Sequence, residues 1–463
     1  MSNDNMNVNA AKKDRAQRMG TDPILPLIIK MSLPAMFSML IQSLYNIVDG
    51  IYVAQLSKTA LNAVSLVHPA QMIIISVNVG TGIGVSSLIS RRLGQKRLAD
   101  AENAVAHGMI IANIEWVFFC LIGILAPVAF CRLFTADQEL ITLGASYFRI
   151  VMIGSIFIFN AGSGEKIMQG CGNMVYTMVC QLIGAVTNII LDPIMIFGKF
   201  GCPAFGVAGA AYATVIGQLF AMIATYLFMR HGHFPIKISF RGFRFHGQTV
   251  KDIFAVGFPS IIVQSIMSFT TMILNKVLIG FSDTAVGILG VYHKLQSFLF
   301  MPIFGMNQGV MPIMGYNYGA RNKKRLLDTY KNAMLIAAGI LLIGMLLFNL
   351  IPDTLLSIFS ADEEMYVLGR QCLTTISWGF EFAAFTIISG TLFQATAHGM
   401  NSLIVTILRQ IVILIPLAVI LAKALGTFGV WLAFPIAEGL SAVVCIFLVK
   451  GVYDKDIKKL DSN

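Results

Sequence analysis

Apolar stretches long enough to cross a membrane recur along almost the whole chain, each closed off by a few polar or charged residues. A bilayer core takes roughly 20 helical residues to cross. Twelve windows reach that length: 25–55, 61–90, 103–128, 140–162, 174–198, 206–229, 252–281, 285–315, 330–351, 365–391, 401–423 and 428–449. The pattern therefore predicts twelve transmembrane helices. Windows of about 30 residues are too long for one straight crossing, so tilt or kinks are expected there. Gly80, Gly82 and Gly84 in the second window point to a bend or a close helix contact. Residues 1–22 are polar and read as a disordered tail. No short apolar run with a cleavage site precedes the first window, which is expected to act as its own insertion signal.

The windows also repeat. Shifted by 225 residues, Pro34 meets Pro259, Gln71 meets Gln296, Gly80 and Gly84 meet Gly305 and Gly309, Gly94 meets Gly319, and Pro127 meets Pro352. FTADQE at 134–139 meets FSADEE at 359–364. A two-residue adjustment then brings Gly206-Val207 onto Gly429-Val430. One offset held over so many positions marks a duplication. Each half contains six spans, an even number, so both enter the membrane from the same side. Parallel repeats related by an axis along the membrane normal are expected, with a substrate path between them. The fold class is thus an all-α polytopic membrane protein, two six-helix bundles around a central cavity. The bundles occupy 23–229 and 252–449, joined by a linker at 230–251 whose FPIKISFRGFRF reads as an amphipathic segment, with tails at 1–22 and 450–463.

Composition narrows the class. Of 463 residues 56% are hydrophobic and 12% charged, against about 25% charged in a soluble domain. The formal net charge of +10 raises nucleic acid as a partner, but the basic residues are dispersed and lack aromatic interleaving. Topology accounts for them better. Even-numbered loops hold Arg91, Arg92, Lys96 and Arg97, then Arg230, Lys237, Arg241, Arg244 and Lys251, then Arg321, Lys323, Lys324 and Arg325. The tails add Lys12, Lys13, Arg15, Arg18, Lys450, Lys455, Lys458 and Lys459, while odd-numbered loops carry one base at most, such as Lys58, Arg132, Lys199 or Lys423. The positive-inside rule then places both termini in the cytoplasm, and a bacterial inner membrane is the expected location. Seven cysteines without a CxxC pair fit neither a disulfide framework nor a zinc site. The chain has no HExxH, GxSxG or P-loop, so an enzyme is not expected, nor is a cofactor or an obligate protein partner.

Asp49 lies inside the first window, where a carboxylate costs on the order of 2.5–3.5 kcal/mol. Such a residue is kept for a partner or a job, and the repeat puts Leu274 at the matching place. Asp49 is therefore the candidate energy-coupling residue. Asn188 and Asp192, four apart, share a helix face, and Pro193 beside them lacks a backbone N–H. Other intramembrane charges are Glu115, Arg149, Glu165, Lys166, Lys276, Lys294, Glu381, Arg409 and Glu438. A salt bridge from Glu381 to Lys294 or Arg409 is the plainest expectation, and Glu165–Lys166 read as loop residues. His68 and His293 read as polar residues at helix entrances. Methionines such as Met39 would give a cavity an adaptable lining.

Several of these stretches resemble the signatures of the multidrug and toxic compound extrusion (MATE) transporters. They are SLYNIVDGIYVAQL at 43–56, GIGVSSLISRRLGQK at 82–96, MQGCGN at 168–173, TNIILDPIMIFG at 187–198 and GVAGAAYAT at 206–214. PIMGYNYGARNKKR at 312–325 is similar to the branch that contains the MepA export proteins. The resemblance implies an antiporter that expels amphipathic, often cationic compounds across the lipid bilayer in exchange for H+ or Na+, by alternating access. It also implies a cation pocket in the first bundle formed by Asp49, Asn188, Asp192 and Thr214. Tyr45, Met39, Lys294 and Glu381 are candidates for the substrate path. Two carboxylates, an amide oxygen and a hydroxyl suit a hard cation such as Na+, and two close carboxylates equally favour holding a proton. The repeat aligns Asn188 with Ile413 and, after the adjustment, Thr214 with Ala437, so the set belongs to one half only. The bland alternative is that Asp192-Pro193 merely caps a helix end. A lipid-linked oligosaccharide flippase is the rival transporter, and it would need several cations converging in the cavity. An ion channel is the rival of another class.

Overall fold

The computed structural model describes residues 16–232, 234–236, 243–359 and 363–461, and among them the secondary structure is entirely helical. Six long helices make the first half: α1 (Ile24–Leu56), α2 (Lys58–Gly94), α3 (Leu98–Leu125), α4 (Gln138–Gly170), α5 (Met174–Phe197) and α6 (Val207–His231). The second half holds α7 (Gly247–Leu278), α8 (Asp283–Gly319), α9 (Lys323–Leu350), α10 (Glu363–Ser377 and Phe380–Ala395), α11 (Gly399–Leu425) and α12 (Thr427–Lys455). Eleven of these are single membrane-length helices, and α10 is a span bent by 49°. The twelve spans and two bundles predicted by the windows are present.

The duplication shows in the helix ends. α2 and α8, α3 and α9, and α4 and α10 begin and end at positions related by the 225-residue offset, as do the short helices Pro127–Arg132 and Pro352–Ser357. Equivalent residues do equivalent work: Ser57 caps α2 by accepting from the Ala60 amide, and Ser282 caps α8 by accepting from the Ala285 amide. An N-cap serine satisfies one of the amides that the first turn leaves orphaned.

The halves join through α1 on α8 and α2 on α7, and glycine makes the contacts possible. A Cβ on Gly94 would stand 2.0 Å from the Tyr316 carbonyl oxygen, and one on Gly319 would stand 2.1 Å from the Arg91 carbonyl oxygen. These two contacts are images of each other under the repeat. Gly80 and Gly84 seat against Ile261 and Ile253, and Gly305 and Gly309 against Met36 and Met31. Gly80 and Gly84 of the second window thus lie on a seam between bundles that runs to the end carrying the basic loops, while Gly82 packs on Lys166 within the first half. Arg92 pairs with Asp252 at 3.0 Å and Ser87 donates to the Gln394 carbonyl at 2.6 Å along the same seam.

Four expectations change. The last span follows an offset of 220, not the adjusted one. Gly206 (φ 56°) caps α6 as Gly426 (φ 62°) caps α12, and Gly209 and Gly429 each press on a carbonyl of the preceding helix, Met195 and Leu421. From the start of α5 to the start of α6 the first half carries five more residues than the second half does from α11 to α12, with α11 running on to Leu425, which shifts the register. Thr214 therefore matches Phe434 and not Ala437. Next, residues 16–21 are helical and packed, with Met19 1% exposed. Arg325 donates to the carbonyls of Met19 and Asp22 at 3.3 and 2.7 Å, and Asn317 to that of Met19 at 2.9 Å; the rest of the expected tail, 1–15, lies outside the described residues. Third, the C-terminal stretch continues α12 and folds back, with Val452 and Ile457 buried and Asp456 3.0 Å from the His398 ring. Finally, the linker is described only at its ends, where Phe234 and Ile236 are buried and Phe243 lies 4.9 Å from the His107 ring. The middle of its amphipathic segment lies outside the described residues, as do Ser360–Asp362 of FSADEE.

Candidate cation site and central cavity

Small residues build the first site. A Cβ on Gly217 would lie 2.8 Å from the Gly184 carbonyl oxygen, so α5 and α6 touch backbone to backbone, as helices in lipid do where glycine permits. That approach sets Thr214 beside Asn188. The Asn188 amide donates to Thr214 Oγ1 at 3.4 Å and to Asp192 Oδ1 at 3.3 Å. Asn188, Asp192 and Thr214 are 2%, 0% and 8% exposed. α1 lies along α5 and delivers Asp49, whose carboxyl comes within hydrogen-bonding reach of the Asp192 carboxyl. Two carboxyl groups bond to each other only when one holds a proton, or when a cation sits between them. Asp49 Oδ1, Asp192 Oδ2 and Asn188 Oδ1 are buried without a partner. An unsatisfied buried oxygen costs about 1–3 kcal/mol. The all-oxygen donor set of the cluster fits Na+ as well as H+.

The four residues expected to meet do meet. Asp192-Pro193 is no end cap: α5 runs on unbroken to Phe197 and stops at Gly198 in the left-handed region (φ 73°). Two tyrosines lie near the group. The Tyr147 hydroxyl on α4 accepts from the Gln71 amide at 3.1 Å, and both it and Tyr45 lie in electrostatic range of Asp49 and Asp192. Gln71 is hidden in the sequence because its repeat mate is also glutamine, and Tyr147 because it sits unmarked among apolar neighbours.

The second site is a cavity of about 430 Å³ against the second half, lined from the first half by Met39, Val79, Ile83, Lys166 and Gln169. Of the residues expected on the substrate path, Met39 lines it; Tyr45, Lys294 and Glu381 do not. Tyr45 lies instead in electrostatic range of Asp49 and Asp192. Lys294 is exposed, its Nζ 5.9 Å from the Phe359 ring centre. Glu381 follows the bend of α10 with Oε1 buried and unpartnered, and the expected ion pair goes elsewhere, since Arg409 pairs with Glu438 at 3.1 Å. His293 lines the cavity instead of guarding a helix entrance. Glu165 and Lys166 are not loop residues but sit buried in α4. Glu165 accepts from the Gln181 amide at 2.8 Å, and Lys166 donates to Gln169 and Gln308 at 2.9 and 3.3 Å. Glu115 accepts from the Thr81 hydroxyl at 2.6 Å.

Two duplicated six-helix halves, a seam at one end, a cavity between and a buried carboxyl pair in one half define a multi-pass membrane transporter. The MatE family model matches residues 34–194 and again 259–420, one match per half. The chain belongs to the MatE family. It is 24% identical over 442 residues to the "Multidrug export protein MepA" of Staphylococcus aureus (strain MSSA476), covering 94% of this chain and 95% of that one. A solved outward-facing multidrug resistance MATE family transporter of the MOP superfamily superposes with a TM-score of 0.90 at 29% identity, over 97% and 99% of the two chains. A MOP superfamily transporter from Pyrococcus furiosus, described as having a binding pocket of reverse polarity that suggests a different function, superposes at 0.88 with 28% identity, over 96% and 98%.

Proposed function

We propose that this chain is a multidrug efflux antiporter. It exports amphipathic compounds in exchange for H+ or Na+ by alternating access, with both termini on the cytoplasmic face of a bacterial inner membrane. The observation that carries the reading is the Asp49–Asp192 contact with its three unpartnered oxygens, in one half only. Asp49 and Asp192 bind the coupling ion, with Asn188 and Thr214 as neutral ligands. Loading the site neutralises the pair and lets α1 pack closer to α5; unloading restores the repulsion. A ligand shifts such an equilibrium only through its different affinity for the two states, and exchange follows when the coupling ion and the compound favour opposite arrangements. Kinship with proteins named for multidrug export supports the direction of transport.

The flippase reading needs several cations in the cavity. Its described lining has two, Lys166 and Arg409, and the second is already paired.

Efflux of a fluorescent amphiphile from proteoliposomes, with an imposed pH gradient and then a sodium gradient, tests the proposal. Wild-type protein is expected to respond to at least one gradient and Asp49→Asn to neither. Wild-type rates in Asp49→Asn, or no response of the wild type to either gradient, would overturn it.

A further inference from the structure

Glu165 is a buried acid that the cation pocket does not use. It sits in α4, five residues before that helix ends at Gly170. Gly170 packs on Ser86 and Ile89 of α2, close to Arg91 and Arg92, so this is the basic-loop end. Glu165 Oε2 accepts from the Gln181 amide of α5 at 2.8 Å, and its main-chain carbonyl accepts from the Thr177 hydroxyl at 3.4 Å. Neutralising its chain neighbour is not its work, since Lys166 Nζ donates to Gln169 and Gln308. A carboxyl at this depth is expensive and marks a functional position.

The helix it faces leads to the pocket. Thr177, Gln181, Gly184, Asn188 and Asp192 follow one another along α5 at steps of four, three, four and four, which is one face of a helix. At 1.5 Å per residue, Gln181 stands about 10 Å along that face from Asn188. The pocket thus occupies the far end of the stripe, and Glu165 with Gln181 the end near the basic loops. α6 runs beside it, with Thr214 at the pocket, Gly217 on Gly184, and Thr225 against Gly164, the residue before Glu165. The Gly184–Gly217 contact closes the stripe midway. Lys166 on its own helix and the Cys180 thiol of α5 are in electrostatic range of Glu165, and α6 meets the adjacent Gly164 with the neutral Thr225 and Met229. The 225-residue offset sets Gly390 opposite Glu165 and Thr406 opposite Gln181. The arrangement belongs to the half that holds the pocket.

We propose that Glu165 is a proton-binding station between the cation pocket and the basic-loop end, with Gln181 as its positioning residue. The assignment rests on the coupling reading of the pocket and fixes the ion as H+. One carboxyl with an amide N–H turned toward it is no oxygen cage for Na+. Its second oxygen can carry a proton while Oε2 stays on Gln181, and chains of such acids relay protons across membranes. A proton leaving the pocket crosses water admitted when α5 and α6 part at Gly184 and Gly217. The Glu165 carboxylate takes it and hands it to water at the basic-loop end, so each hop restores one carboxylate and charge balances.

Glu165→Gln removes the proton site yet leaves an oxygen for Gln181 to donate to, so a role confined to packing would survive it. Infrared difference spectra of full-length protein stepped from alkaline to acid pH, and pH-gradient-driven efflux of a fluorescent amphiphile from proteoliposomes, give the two readouts. The wild type is expected to show a protonated-carboxyl component that Glu165→Gln lacks and Asp49→Asn keeps. Glu165→Gln should slow efflux at least about tenfold, or about 1.4 kcal/mol in the barrier, with the thermal midpoint at its wild-type value and part of the rate restored in Glu165→Asp. An infrared change that Glu165→Gln leaves intact, wild-type efflux in that variant, or a collapsed midpoint that Glu165→Asp does not rescue would overturn the proposal. A wild type driven by a sodium gradient alone would also overturn it, and leaves the pocket reading standing. Efflux that persists in Asp49→Asn while Glu165→Gln is slow strikes the pocket reading instead.

Discussion

Tyr147 tests how the cation pocket is closed. Its hydroxyl accepts from Gln71 and lies in electrostatic range of both acids, so it bears on the pocket without being a ligand by charge. Tyr147→Phe is expected to slow gradient-driven efflux by less than about tenfold, within the 1–3 kcal/mol that an unpaired buried polar group costs. Asp192→Asn should abolish it, and dye efflux from proteoliposomes measures both. The acids of the pocket were legible because charge in an apolar window is conspicuous and the repeat lacked it. Tyr147 and Gln71 were not, since a neutral polar residue leaves no trace against its neighbours. The Arg409–Glu438 pair was visible only as two separate charges. Twenty-nine positions separate the partners, and nothing local states that α11 and α12 turn those faces together.

Among the elements, the α5–α6 contact sets the geometry of the pocket. Gly217→Val would force its side chain into the Gly184 carbonyl and Asn188. Overpacking of this kind costs about 1–3 kcal/mol, and here it also parts Asn188 from Thr214. A lowered thermal midpoint together with weakened coupling is expected, read by thermal unfolding in detergent and by efflux. Gly50, one residue from Asp49, has nothing within 4 Å of a built Cβ, and Gly50→Ala should leave both measurements near wild type. The windows located the helices well because apolar length is the dominant signal in a membrane. They missed the π-helical stretch of α11, Leu408–Leu414, and the break in α10, which depend on packing that a window average smooths away. The register slip before α12 was misplaced because a loop deletion, not a helix, carries it.

For the molecule as a whole, the mirrored glycine contacts make a symmetrical prediction. Gly94→Val and Gly319→Val each drive a side chain into a partner carbonyl across the seam, so both should separate the halves at the basic-loop end and to a similar extent. Spin-label distances between the basic-loop ends of α2 and α8 would report it, and a widening in only one variant would contradict the two-fold reading. The offset of 225 residues foretold the matched helices, yet not which end of the bundle pair is shut, because a duplicated sequence permits either.

The segment 16–22 bears on that choice. Its main-chain oxygens are gripped by Arg325 and Asn317 of the opposite bundle, so it works as a clasp across the hinge line at the basic-loop end. Any swing that opens this end has to unfasten it first. A chain trimmed through Asp22 should therefore spend more of its time agape at the basic-loop end, with its carrier function intact and its resting posture reversed.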